Sequence, residues 1–461
     1  MGLESYLENP DKAGVFERVW TEVEAAQKKF GPFVTVSKEL AEKHCGKMAA
    51  DEKFLGIPIS VKDCICTKGI RTTAGSRILE NYVPPFDATP VRKAKEAGYV
   101  IGKTMMDEFG FGTFSMNCAF GIPKNPLDPR RSCGGSSGGA ACITAALSDK
   151  VPHIAIAEST GGSIACPASF CGVVGVTPTY GLVSRYGMID YASSLDKIGV
   201  IGKTCFEAAY GLNLIAGFDE RDSTSIKKPA EDYTKYLKKG LSTMRIGVPK
   251  EYFKGIDEGV EKTVWREIKR LESLGANCEE FSLPSTKYAL PAYYIIAMSE
   301  ASTNLAKFCG IRYGSTVELK GGYNEFFSEV RGKYFGTEAK RRCIMGTFYR
   351  KAGHRDKYYL KALRVRRRLI NEFKAAFQKY DCIVAPSMPI VAPKFTEIAD
   401  LTPAQNYAMD ILNAGSNLCG VPHLSVPCGK SEGLPVGLQI IGDHLHEGKI
   451  FQLGSWVGKT D

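Results

Sequence analysis

The sequence has no run of 18 or more apolar residues, so no membrane-spanning helix is expected. Its N-terminus, Met1-Gly2-Leu3-Glu4-Ser5, has no basic segment leading into an apolar stretch, so no secretory signal is expected. The paired Cys-x-x-Cys spacings of a zinc site are missing; Cys64-Ile65-Cys66 and Cys166/Cys171 do not supply them. A phosphate-binding loop is missing too. Two segments end in Ile-Gly-Lys-Thr, at 101–104 and 201–204, but Ala97 and Lys197 stand where the loop needs its first glycine. There is no internal repeat and no low-complexity segment. A cytoplasmic protein without a metal or nucleotide site of its own is expected.

What is present is a globular composition, 44% hydrophobic and 24% charged, which supports a sizeable core. At about 150 residues per domain, 461 residues would make about three domains, but large α/β enzymes often break that rule. Fifteen cysteines, an odd and scattered set, read as free thiols in a reducing compartment. Cys133 is expected to be a packed thiol rather than a reactive one. The net charge of +10 is spread along the chain. Its densest run, Arg364 to Arg368, lies in a helical pattern with Leu360, Leu363, Ile370 and Phe373. A solvated helix face is the simple reading, and nucleic-acid contact is the alternative.

Periodicity places an amphipathic helix over 13–30, with Val15, Phe16, Val19, Trp20 and Val23 at helical spacing. Strands are expected at Ile57–Cys66, Tyr99–Ile101, Val151–Ala157, Met244–Pro249, Cys382–Ala385, His423–Pro427 and Val436–Ile441, with a helix at Cys142–Leu147. Asp219–Lys239 is a polar connection, and 258–276 and 356–380 read as long helices. Strand, turn and helix alternate, which argues for an α/β fold. We read one domain over 1–461, with a helical layer over 256–380 inserted in the α/β body.

Three features carry chemistry. Gly134-Gly135-Ser136-Ser137-Gly138-Gly139 and Ser159-Thr160-Gly161-Gly162-Ser163-Ile164 are serine-bearing glycine clusters, and Pro58-Ile59-Ser60-Val61-Lys62-Asp63 delivers a lysine upstream. Glycine beside serine permits turns that aim successive N–H groups at one spot, as an oxyanion hole requires. A serine hydroxyl needs a base, and a lysine held neutral by burial can act as one. Alone, Lys62 reads as a surface lysine or one salt-bridged beside Asp63.

With these motifs the chain resembles the amidase signature family along nearly its whole length, from Leu55-Gly56-Ile57-Pro58 to Gly437-Leu438-Gln439. The resemblance implies an α/β fold with a large mixed sheet sandwiched between helices. It also implies a Lys62 base, a bridging Ser136 in a cis peptide (with Ser137 as the alternative) and a Ser163 nucleophile. The N–H groups of Thr160, Gly161, Gly162 and Ser163 would form the oxyanion hole. Within the family, Gly336 to Phe348, Lys250-Glu251-Tyr252-Phe253, Tyr293 to Ala297 and Tyr407 to Ile411 look like the glutaminase subunits of tRNA-dependent amidotransferases. That similarity implies a glutamine pocket in which Arg342 or Arg341 takes the α-carboxylate, Asp410 the α-ammonium, and Tyr293 or Tyr294 lines the wall. It further implies B and C partner subunits. ATP and Mg are expected at the partner B subunit, with no cofactor in this chain. A stand-alone amidase and a silent assembly protein are the other readings. Two positions depart from the family: Ser159 replaces an Asp and Ala165 an Arg. The interval from Ser136 to Ser163 is three residues longer than the family's, with the extra residues expected in the Ser148–His153 turn.

Overall fold

A computed structural model describes residues 2–229 and 231–459, leaving Ala230 of the polar connection outside it. Its centre is one mixed sheet of eleven strands. In chain order these are β1 (Phe33–Val36), β2 (Ile57–Lys62), β3 (Gly98–Thr104), β6 (Ile154–Ser159), β7 (Val174–Thr177), β8 (Lys197–Gly202), β9 (Arg245–Pro249), β10 (Asn277–Phe281), β11 (Cys382–Pro386), β12 (His423–Ser431) and β13 (Leu434–Ile441). A separate hairpin pairs β4 (Lys124–Asn125) with β5 (Asp128–Ser132). The order across the sheet is β1-β3-β2-β6-β8-β7-β12-β13-β11-β9-β10. β2 runs parallel to both β3 and β6, whereas β8 is antiparallel to β6 and β7.

Both faces of the sheet are covered. Val100, Ile154 and Ile156 join one apolar core, while Tyr99, Ile101, Ala155 and Ala157 join a second. Successive side chains of a strand point to opposite faces, so this split places helices on both sides. Strands buried on both faces read as continuous apolar runs. β2 is such a strand: all six residues are buried, and it stops at Lys62 where the chain turns through Asp63 and Cys64. The expected strand to Cys66 is therefore four residues too long.

The helix expected over 13–30 covers Lys12–Phe30, after a short helix at Leu3–Glu8, and buries Val15, Val19, Trp20 and Val23. Asp11 caps it by accepting the Gly14 N–H at 2.9 Å, and Gly31 ends it in the left-handed conformation at φ 64°. The helix expected at Cys142 starts earlier, at Gly138, inside the first glycine cluster. The stretch 256–380 is mostly helical, with helices at Glu258–Ser273, Ala289–Asn304, Tyr323–Tyr334, Thr337–Arg350 and Lys361–Lys379. It also supplies β10, an edge strand pairing in parallel with β9. The helix Ala289–Asn304 packs on Thr337–Arg350 and Lys361–Lys379. Of the arginine run, Arg364, Arg367 and Arg368 are exposed, but Arg366 is tied inward to Leu418 O at 2.7 Å and Ser194 O at 2.9 Å.

Candidate active site

Lys62 is the last residue of β2 and is fully buried. Its Nζ has three acceptors: Ser136 Oγ at 2.7 Å, the Glu158 carbonyl at 2.9 Å and Glu158 Oε2 at 2.9 Å. Ser136 follows a cis peptide bond to Gly135. Its carbonyl accepts the Asp107 N–H at 3.3 Å, and Asp107 in turn accepts the N–H groups of Ser115 and Asn117 at 2.9 Å. Ser137 is turned elsewhere, with its hydroxyl on the Glu158 carbonyl at 3.0 Å. The lysine's serine partner is thus Ser136.

The second cluster joins β6 to the helix Ala165–Cys171. The Ser137 N–H donates to Ser163 O at 3.2 Å, which stitches the two clusters together. Ser163 is 7% exposed, against 0% for Lys62 and Ser136, so it is the member of the three nearest to solvent. Of the four N–H groups expected in the oxyanion hole, that of Gly162 donates to Asp410, while those of Thr160, Gly161 and Ser163 donate to no protein acceptor among the described residues. Buried N–H groups are nearly always paired, so unpaired donors in one loop suit an incoming oxyanion. Glycine is required here by close approach: a Cβ at Gly161 would lie 2.7 Å from Tyr293 Oη, and one at Gly162 2.9 Å from Asp410 Oδ1. Ser159 and Ala165, both fully buried, stand without charge. The Ser159 hydroxyl donates to Gly161 O at 2.8 Å, and the Asn417 amide binds the same oxygen, so neutral hydrogen bonds hold this loop.

The substrate candidates meet on the other side of the loop. Arg342 is 3% exposed, donates to Glu338 Oε1 at 2.8 Å and to Tyr191 Oη at 2.6 Å, and lies 5.0–5.5 Å from the rings of Phe111, Tyr191, Tyr294 and Tyr407. Its Nη2 donates to no protein acceptor among the described residues. Arg341 is half-exposed and paired with Glu338. Asp410 accepts the Tyr294 hydroxyl at 2.6 Å. Burial pushes its carboxyl up to about 6, opposed by the Tyr294 hydroxyl, the Arg342 charge and the Gly162 N–H. The two tyrosines divide the work: Tyr294 holds Asp410, and Tyr293 rests on Gly161. A cavity of about 350 Å³ is lined by Asp107, Phe111, Thr113, Arg341, Arg342 and Tyr407, among others. Ser163 is not part of that lining; Asp410, held by Thr113 and against Gly162, links the cavity to the loop that carries Ser163.

The chain matches the Amidase family over residues 15–451. The chain belongs to the amidase family. The glutamyl-tRNA(Gln) amidotransferase A subunit of Thermoanaerobacter pseudethanolicus is 47% identical over 441 residues, which cover 94% of this chain and 89% of the relative. The corresponding protein of Methanococcoides burtonii is 49% identical over 409 residues, covering 88% and 85%. The crystal structure of the same amidotransferase component from Thermotoga maritima superposes with a TM-score of 0.82 at 38% identity, covering 98% of this chain and 93% of the other. The peptide amidase of Stenotrophomonas maltophilia superposes with a TM-score of 0.80 at 27% identity, covering 98% and 94%. The amidase fold is therefore the one expected from the sequence.

Several residues of this amidase site escaped the sequence reading. Glu158 and Asp196 form a buried acidic pair beside Lys62, bridged by the Thr160 hydroxyl at 2.8 Å and 2.7 Å. A charge at the end of the otherwise apolar Ile154–Ala157 run was the available signal for Glu158. Glu338, which also accepts the Tyr407 hydroxyl at 2.7 Å, sits four residues before Arg342 on one helix, a spacing that signals an ion pair. Tyr191 and Asp107 lie in irregular segments, and no local pattern marks them. The described residues hold no group of three or more His, Cys, Asp or Glu arranged for a metal ion.

Proposed function

We propose that this chain is the glutamine-hydrolysing A subunit of a tRNA-dependent amidotransferase. The observation that carries the reading is the pocket with opposite charges at Arg342 and Asp410, both buried and both in contact with Tyr294. A guanidinium with free donors matches a carboxylate, and a carboxylate matches an ammonium. A neutral amide needs neither. The named relatives support the same reading.

In the reaction, Ser163 Oγ attacks the side-chain carbonyl carbon of glutamine. Its proton passes to Ser136 Oγ, and the proton of Ser136 passes to Lys62 Nζ. The loop N–H groups hold the oxyanion, an interaction worth about 3–4 kcal/mol per donor. The C–N bond then breaks, the nitrogen takes a proton back through Ser136, and ammonia leaves a γ-glutamyl ester on Ser163. Water hydrolyses the ester to glutamate. The ammonia goes to a B subunit that binds ATP and Mg and amidates Glu-tRNA(Gln) or Asp-tRNA(Asn). A small C subunit joins the two larger ones in the cytoplasm.

The test is ammonia release from glutamine by the chain with and without B and C subunits, together with trapping of the acyl-enzyme. Glutaminase activity that rises on assembly is expected. Faster hydrolysis of simple carboxamides than of glutamine would reassign the chain as a stand-alone amidase. Failure to acylate would leave it an assembly role only.

A further inference from the structure

The acidic group beside Lys62 has no part in the mechanism above, yet it is the nearest charge to the proposed base. Lys62 and Glu158 are 2.9 Å apart, with side chains 0% and 4% exposed. An ammonium has three N–H groups, and Lys62 Nζ has three acceptors. The amine form fits the same atoms. It keeps two N–H groups on the Glu158 carbonyl and Oε2 and turns its lone pair to the Ser136 hydroxyl. Loss or gain of the proton therefore needs no movement.

The Thr160 hydroxyl has one hydrogen but lies within bonding distance of two carboxyl oxygens, Glu158 Oε1 and Asp196 Oδ1. One of the two contacts must use a proton from a carboxyl group. Asp196 is the group that holds it: it is fully buried, and desolvation and the Glu158 charge push its carboxyl well up. Its other oxygen, Oδ2, accepts the N–H groups of Tyr191 and Ala192 at 2.8 Å and 2.9 Å, which leaves Oδ1 to carry the hydrogen towards Thr160. Thr160 in turn donates to Glu158 Oε1 at 2.8 Å.

The other ionisable neighbours of Lys62 do not compete. Burial pushes the Asp107 carboxyl and the Cys64 thiol up towards their neutral forms. Lys103 turns instead to the Ile65 carbonyl, the Thr72 hydroxyl and Asp63. Arg342 lies across the cavity, paired with Glu338.

We propose that Glu158 is a positioning residue: with Thr160 and Asp196 behind it, Glu158 holds Lys62 Nζ on Ser136 and is the counter-ion of the ammonium that forms when Lys62 takes the serine proton. When Ser163 is acylated, its proton reaches Nζ through Ser136, and the new ammonium faces the Glu158 carboxylate. This rests on the proposed Ser163–Ser136–Lys62 route, but not on glutamine being the substrate.

The test uses the full chain and an alkyl fluorophosphonate, which modifies an activated serine without glutamine or partner subunits. Labelling rate is measured across pH 5.5–9.5 for the wild type, E158Q, E158D and D196N, and glutaminase activity is measured in parallel. E158Q should move the acid limb of labelling down by at least one pH unit and lower the plateau, because the desolvated lysine loses its counter-ion and becomes a weaker base. E158D, which keeps the carboxylate, should return the limb towards the wild-type position. D196N should leave the limb within 0.3 unit, since an amide reproduces the neutral acid by donating to Thr160. An unmoved limb in E158Q overturns the proposal, and so does no labelling of the wild type. If E158Q does not fold, a D196N limb that moves by a full unit overturns it equally. Labelling that follows these shifts without glutamine turnover would instead refute the glutaminase reading and leave the Glu158 role standing.

Discussion

Replacing Asp410 by Asn should stabilise the protein at neutral pH while disabling glutamine use. The carboxyl rises from an ordinary 3.8 to about 6 on folding, chiefly through burial. At about 1.4 kcal/mol per unit, roughly two units correspond to about 3 kcal/mol. The sign follows from proton binding. The native state holds this proton more tightly than the unfolded chain, so the favourable contribution is complete below 3.8 and is lost as pH rises through about 6. At pH 7.5 the ionised Asp410 therefore costs the fold about 3 kcal/mol. Asn cannot ionise and so escapes the cost, and its carbonyl can still accept the Tyr294 hydroxyl. Allowing for one poorer contact, Asp410→Asn should gain about 1–3 kcal/mol at pH 7.5 and nothing at pH 4. Denaturant midpoints of both proteins at the two pH values measure this. The substrate ammonium loses its partner in a closed pocket, a loss of about 2–5 kcal/mol in kcat/KM for glutamine. In the wild type, KM for glutamine should rise as pH falls below about 6, as the carboxylate is neutralised. A stability difference independent of pH would refute the buried-charge argument. Unchanged glutamine kinetics would refute the ammonium contact.

Ser163→Ala should abolish ammonia release and acyl-enzyme formation without shifting the unfolding midpoint, since the one hydroxyl removed has no protein partner among the described residues; normal turnover would sink the nucleophile assignment. Arg342→Ala should reduce kcat/KM for glutamine far more than for a simple carboxamide, and it removes one of the three partners of Glu338, leaving Arg341 and Tyr407, so a stability loss of about 1–3 kcal/mol should accompany it. Equal losses on both substrates would mark the arginine as purely structural. Ser159→Asp and Ala165→Arg should each lower glutaminase activity alone, because each introduces a charge at a fully buried position beside Ser163 in sequence. Together they should compensate by about 0.5–3 kcal/mol in a double-mutant cycle, and strict additivity would show that the two positions do not touch.

The sequence by itself determined the parts that depend on local pattern. Glycine clusters declare tight turns because only glycine tolerates the approach of Tyr293 and Asp410 at 161 and 162. The apolar runs of β2 and β6 declare buried strands, and the fold class follows from their alternation with helices. Their ends were less legible: β2 stops at Lys62, where the Ile65 N–H closes a turn on the Lys62 carbonyl at 3.0 Å, although apolar residues resume at Cys64. Tertiary structure alone decided which charges meet. Lys62 and Glu158 are 96 residues apart, Thr160 and Asp196 36, and Arg342 and Tyr191 151. A buried charge is set by its three-dimensional neighbours, which desolvate it and supply its counter-ion. The sequence could therefore name a lysine and two serines, but only the packing of β2 beside β6 placed a carboxylate against that lysine.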